Sequence, residues 1–257
     1  MSKVKIYDAK RITATICERF RKYVTEALDE VPDIFTEHYK KMFFIDIIPT
    51  SVLFIEDELF AMDKKSFSRK VIINTYNDNL MKRNSSPAYA HMHAKTDDKG
   101  NLVLTSLFIR VNYDLIILDA IRNLYRLPQW CDTILRTHAR HEVGHIIDYI
   151  QSYDGQPAEK LKKDNEACIK ANDEWMAWWK EKSDNGKKVL PIELEKERLI
   201  RYFQIPTEAT ADRLGKVDRE KAIDFMVNST DKCVDIIIKS KERPDPQKEE
   251  KKSEDAK

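Results

Sequence analysis

The chain has 257 residues, of which 35% are charged, yet its 45 basic and 44 acidic side chains leave a formal net charge of only +1. This balance excludes the strong positive field of a nucleic-acid-binding protein, so we expect no nucleic-acid partner. No apolar run approaches the roughly 20 residues of a membrane span, and no apolar segment follows the first residues, so we expect a cytoplasmic protein without a membrane contact.

Residues 1–49 are predicted to form a helical N-terminal part. Apolar residues recur every four positions, which is the spacing of one helix face, and they predict a helix over residues 8–30: Ile12, Ile16, Phe20, Val24 and Leu28. Pro32 interrupts this pattern, and residues 34–44 are predicted to form a second, shorter helix.

Between residues 50 and 113 the pattern changes to that of strands. Runs rich in β-branched and aromatic residues predict strands at 51–57, 70–76 and 88–95. Residues 97–101 have a typical turn composition, so residues 102–111 should return as the second strand of a hairpin. His91 and His93 share one face of their strand, and we assign them to a polar surface. These strands together predict a small, mostly antiparallel sheet.

From residue 114 onward the apolar positions follow a helical period. Helices are predicted over residues 114–127, 128–154, 157–183 and 191–203, another begins at Pro206, and a last one follows Asp218. Residues 241–257 carry six basic and six acidic side chains and should form a disordered tail. The chain is thus predicted to be one α+β domain over residues 1–240, predominantly helical, with the metal-binding part in 114–240.

The helix that begins at Pro128 contains a His-Glu-x-x-His motif, with His141, Glu142 and His145. Residues four apart lie on one helix face, so both imidazoles can bind one metal ion. Glu142 projects about 100° from His141, beside the open side of that metal, where it suits the general base for a bound water. Two histidines, one further protein ligand and a water form a catalytic zinc site, so we predict one Zn²⁺ per chain.

The third ligand has to be an acidic residue or an upstream histidine, because all six histidines lie at or before His145. Between residues 156 and 220, only two glutamates are followed by an aspartate four residues later, and they are Glu208 and Glu220. This spacing is useful because the aspartate, one helical turn on, can accept the free ring N–H of a ligand histidine.

Glu208 is the preferred ligand, with Asp212 supporting a histidine. Pro206 begins its helix, and the small residues Ala209 and Ala211 would let that helix approach the metal helix closely. Glu220 stands next to a helix start at Asp218 and suits capping and solvation. Asp148, seven residues after His141, also falls on the ligand face and remains a rival third ligand.

The two motifs together resemble those of the gluzincin metallopeptidases. His141-Glu-Val-Gly-His145 and Glu208-Ala-Thr-Ala-Asp212 are similar to the His-Glu-x-Gly-His and Glu-x-x-Ala-Asp motifs of Ste24-like and heat-shock-type membrane proteases, and to those of the soluble minigluzincins and predicted phage metallopeptidases. The resemblance implies a zincin-like core over residues 88–216, in which an edge strand holds the substrate beside the metal helix and the glutamate helix. The sequence does not identify an oxyanion-stabilising side chain.

The predicted activity is zinc-dependent hydrolysis of peptide bonds in a peptide or protein substrate, with Glu142 as the catalytic base. An alternative is a scaffold protein that retains the metal site without turnover. An exposed strand edge would hold the substrate through its backbone, and we expect the strand 102–111 to be that edge, with Ser106, Phe108 and Arg110 near the substrate. The strand with Tyr89, His91 and His93 is the second choice.

Overall fold

The computed structural model describes residues 9–48, 88–112, 128–183 and 192–225. Within them the chain is mostly helical with one small sheet, which confirms the α+β class. The elements are α1 (Ala9–Asp29), α2 (Glu37–Lys40), β1 (Phe43–Ile48), β2 (Ala88–Thr96), β3 (Leu102–Asn112), α3 (Pro128–Tyr153), α4 (Ala158–Ser183), α5 (Ile192–Tyr202) and α6 (Pro206–Leu214). The strands predicted at 51–57 and 70–76, the helix over 114–127 and the tail 241–257 lie outside the described residues.

The prediction of a helix over residues 34–44 was wrong for most of that range. Only the four residues of α2 are helical, and β1 begins three residues later. Its sequence, Phe-Phe-Ile-Asp-Ile-Ile, is rich in the aromatic and β-branched residues that pack well on a sheet. β1 pairs with β3 in parallel, whereas β2 pairs with β3 antiparallel. The described sheet is therefore mixed and not mostly antiparallel.

The strand order is β1-β3-β2, so β3 is the central strand. The prediction that this strand forms the edge for a substrate was wrong, because β1 and β2 occupy the backbone hydrogen bonds on its two sides. Among the described strands, β2 lies at the edge and packs on α3, where the Tyr149 hydroxyl donates to the Ala90 carbonyl over 3.2 Å. The strand with Tyr89, His91 and His93 is therefore the better candidate for the substrate edge.

The side chains of β3 alternate between two environments. Leu107, Ile109 and Val111 are almost fully buried in the core that α3 also enters. The three residues predicted to lie near the substrate point to the opposite face of the sheet: Ser106, Phe108 and Arg110. There the Ser106 hydroxyl lies 3.0 Å from Nδ1 of His93, Phe44 stacks on Phe108, and Arg110 donates to the Tyr89 hydroxyl. They are thus separated from the metal helix by the sheet.

Helix α3 is the centre of the fold because other elements cover most of its sides. Its side chains reach the sheet, α1 and α6, and the buried ones include Leu135, Ala139, Val143 and Ile146. From α1 the predicted stripe contributes Phe20, Val24 and Leu28, all at most 5% exposed. Gly155, with φ 73°, follows the helix end in the left-handed conformation that glycine tolerates.

The tryptophans of α4 pack against α5. The Trp175 indole N–H donates to the Arg198 carbonyl over 3.2 Å, and the guanidinium of Arg201 lies 4.4 Å from the Trp178 ring centre. Trp179 is buried beneath Arg198. Among all helices in the described residues, none is both long and apolar enough to cross a membrane.

Candidate metal site

Helices α3 and α6 bring the three predicted metal ligands together. The ligand atoms of His141, His145 and Glu208 all lie within 4.8 Å of one another, so this group could hold a metal ion. Glu208 Oε2 lies 3.0 Å from Nε2 of His141 and 3.8 Å from Nε2 of His145. All three side chains are at most 16% exposed. The other candidates do not belong to the group: Glu220 is exposed, and Asp148 lines the same cavity without joining the three ligands.

The ligands meet because the two helices touch through their main chains. A Cβ atom on Gly144 would lie 1.9 Å from the Ala211 carbonyl oxygen, and one on Gly215 would lie 2.0 Å from the Arg140 carbonyl oxygen. Only glycine fits at these two positions. Of the two alanines expected to allow the approach, Ala211 is fully buried at the contact, whereas Ala209 is exposed.

Asp212 holds the other nitrogen of His141. Its Oδ1 lies 2.7 Å from Nδ1, and since a carboxylate only accepts, the ring donates its Nδ1 proton here. Nε2 consequently faces Glu208 and the position that a metal would take. This is the arrangement in which a carboxylate fixes the orientation of a ligand histidine.

Arg219 holds the carboxylate of Asp212 in place. The sequence did not predict this role of Arg219. Its Nε and Nη2 donate to the two carboxylate oxygens over 2.7 and 2.5 Å, and its guanidinium lies 3.4 Å from the ring centre of Phe203. Asp218 does cap the next helix, accepting from the Lys221 amide. Arg219 beside it is nevertheless directed inward, with a side chain only 12% exposed.

A tight turn after α6 directs Arg219 back to Asp212. The Val217 amide donates to the Asp212 carbonyl and the Lys216 amide to the Arg213 carbonyl, the two bonds of a Schellman motif. Lys216 takes the left-handed conformation, with φ 55°. The chain therefore reverses within three residues, and no periodic sequence signal marks this return.

The ionisable side chains of the site shift one another's pKa values. Burial lowers the pKa of His141, but the hydrogen bonds to Asp212 and Glu208 outweigh it and raise that pKa to about 9. Burial raises the pKa of Glu208, but the two histidines hold it well below its ordinary value. Burial likewise opposes the effect of Arg219 and His141 on Asp212, whose pKa is lowered. The imidazole of His141 therefore carries both ring protons at neutral pH in the metal-free protein.

Glu142 is the one described residue with a buried side-chain oxygen that lacks a hydrogen-bond partner. The residue is 4% exposed, and its Oε2 is the unpaired atom. An unpaired buried carboxylate oxygen costs about 1–3 kcal/mol or more, so it is a position where water or a ligand is expected. The donor set and this orphan oxygen both fit a bound metal ion with a water beside it.

The group formed by His141, His145 and Glu208 opens into a cavity of about 460 Å³. Residues 88–92 of β2 form one wall, and α3, α4 and the segment from Tyr202 to Glu208 form the others. Tyr202, also missed from the sequence, lies beside Glu208: burial raises the pKa of its phenol, and the charges of Glu208 and Glu142 raise it further. It keeps its proton and can serve as a hydrogen-bond donor in the cavity.

Comparison of the chain with protein-family models, with curated proteins and with solved structures gave no match.

Proposed function

We propose that the protein is a zinc-dependent endopeptidase of the gluzincin type that cleaves peptide or protein substrates. One observation supports this above all: the His141, His145 and Glu208 group shares a cavity with the buried, unpaired carboxylate of Glu142. A metal site that served structure alone would be closed by a fourth protein ligand, whereas this group opens into a cavity.

Zinc is the proposed metal because two imidazoles, one carboxylate and an open position are its usual catalytic ligands. When bound, it would acidify a water molecule and polarise the carbonyl of the substrate. His141 and His145 would hold it through Nε2, and Glu208 through Oε2. Asp212 would keep His141 in the required orientation, and Arg219 would keep Asp212 in place.

The remaining side chains supply proton transfer and positioning. Glu142 would take a proton from the attacking water and deliver it to the leaving amine, the task of a general base that becomes a general acid. Tyr202 would donate a hydrogen bond from its phenol to the developing oxyanion, which a fixed donor stabilises. Residues 88–92 of β2 would hold the extended substrate through backbone hydrogen bonds.

Metal analysis by mass spectrometry tests the ligands. We expect close to one zinc per chain, lost from His141→Ala and from Glu208→Gln. Glu220→Gln is the matched control, because it changes an exposed glutamate in the same Glu-x-x-x-Asp pattern and should retain zinc. Stoichiometric zinc in both ligand variants would refute the site.

A peptide-library cleavage assay tests the reaction. Glu142→Gln should retain zinc and its fold but lose cleavage, and Tyr202→Phe should retain zinc and cleave about 10²–10³ times more slowly, the usual cost of losing an oxyanion donor. If the zinc-loaded wild-type protein cleaves nothing while a partner protein binds it and Glu142→Gln equally, the scaffold alternative replaces the peptidase.

A further inference from the structure

Asp148 lies in the cavity but has no part in the metal group. It follows His145 by three residues on α3, which is about 4.5 Å along the helix axis. Its Oδ1 accepts a hydrogen bond from the Ser152 hydroxyl over 2.6 Å. Within the described part of the chain, no lysine or arginine forms an ion pair with it. The carboxylate is therefore a negative charge in the cavity whose counter-ion is missing from these residues.

Three hydroxyl donors near Asp148 on α3 are already used inside the protein. The Tyr149 hydroxyl donates to the Ala90 carbonyl, and the Tyr153 hydroxyl donates to Asp164 over 3.2 Å. The Ser152 hydroxyl is used on Asp148 itself. What these groups still offer is acceptors only: two phenol oxygens and the second carboxylate oxygen. An ammonium or guanidinium group, which has donors and no acceptor, complements such a set.

Another wall of the cavity suits the stem of a long side chain. It comes from α4, where Leu161 and Cys168 are apolar and Asn165 adds a further polar group. The electrostatic potential beside Tyr149 is negative. The charges of Glu142, Glu208 and Asp148 raise the pKa of the Tyr149 phenol, which burial also raises. Lysine and arginine combine an apolar stem with a cationic tip, which is the shape and charge that this space offers.

We propose that Asp148 selects substrates with a lysine or arginine side chain next to the cleaved bond. The proposal rests on the proposed peptidase function and adds its substrate class. Residues of an extended peptide are about 3.3 Å apart, so a side chain that reaches 4.5 Å past His145 belongs to a residue within one or two positions of that bond. A hydrogen-bonded charge pair of this kind contributes about tenfold or more in affinity.

A binding experiment on the zinc-loaded Glu142→Gln protein tests this without turnover. Three peptides are compared by calorimetry: one with lysine, one with norleucine, which has a similar stem and no charge, and one with glutamate. We expect the lysine peptide to bind at least about tenfold more tightly than the norleucine peptide, and Asp148→Asn to abolish this preference. Asp148→Lys should instead favour the glutamate peptide. Asp173→Asn, which removes an exposed carboxylate of α4, is the matched control and should leave the preference unchanged.

Each other outcome overturns the proposal. Equal affinity for the lysine and norleucine peptides, or an equal loss in Asp173→Asn, would show that Asp148 does not read the charge, and loss of zinc from Asp148→Asn would make it a ligand. The two proposals fail separately. Cleavage without a preference for lysine or arginine overturns only the specificity, whereas Asp148-dependent binding without cleavage by the wild-type protein overturns only the peptidase function.

Discussion

Replacing Gly144 by alanine should separate α3 from α6 and weaken the metal site. The new Cβ would lie 1.9 Å from the Ala211 carbonyl oxygen, whereas ordinary contacts begin near 3.4 Å. Helix α6 would therefore have to retreat by about 1.5 Å, because neither atom can rotate away.

Two effects of this substitution oppose each other. Overpacking of this kind costs about 1–3 kcal/mol, and a backbone obstacle places the cost at the upper end. Alanine in a helix is more favourable than glycine by up to about 1 kcal/mol. We expect a net loss of about 1–2 kcal/mol in the free energy of unfolding. The retreat also carries Glu208 away from the histidines, and since ligand distances tolerate only about 0.2 Å, zinc affinity should fall by at least roughly tenfold.

Urea unfolding of the metal-free protein measures the stability, and competition with a chromophoric chelator measures the zinc affinity. The double variant Gly144→Ala with Ala211→Gly is an informative control. Because the atoms in the way belong to the main chain of Ala211, removing its methyl group should not restore either quantity. Unchanged stability together with unchanged zinc affinity in Gly144→Ala would refute the close main-chain contact.

Two further predictions concern the charges beside the ligands. Arg219→Gln should lower zinc affinity about 10- to 100-fold, with Arg219→Lys recovering only part because an ammonium cannot donate in the same bidentate way; equal affinities in all three proteins would contradict this role of Arg219. In the metal-free protein the raised pKa of His141 contributes stability that is complete below its ordinary value of 6.5 and is lost as the pH rises through about 9, which urea unfolding across this range measures. Zinc binding at pH 7 should correspondingly release the Nε2 proton of His141 in addition to the proton lost by the zinc-bound water, and well above pH 9 only the latter, as calorimetry in buffers of different ionisation enthalpy measures; release at pH 7 that is no larger than release above pH 9 would contradict the assignment.

The elements that the sequence predicted well are those with local signals. Helices α3 and α6 begin at prolines, the β2-β3 hairpin has a turn rich in aspartate and glycine, and α1 carries a stripe with the helical period. His141 and His145 lie on one helix, so their spacing alone places them together. Glu208 could be predicted because only one other glutamate between residues 156 and 220 is followed by an aspartate four residues later.

The features that the sequence did not predict depend on distant pairing. β1 is a short apolar run, which periodicity cannot assign, and its parallel partner β3 is about 60 residues away along the chain. The same pairing makes β3 central, which excludes it as an edge. Arg219 flanks a helix start among other charged residues, so only the turn at Lys216 explains why it faces Asp212.

The main-chain contact between α3 and α6 also determines how the cavity can open. With Gly144 against Ala211 and Gly215 against Arg140, no layer of side chains lies between the helices at these points, so rotamer changes cannot let them slide. The two helices should move as one rigid body, and the amides at the contact should exchange hydrogen with solvent only when the whole domain unfolds. The motion that admits a peptide must then come from the other walls, β2 and α4.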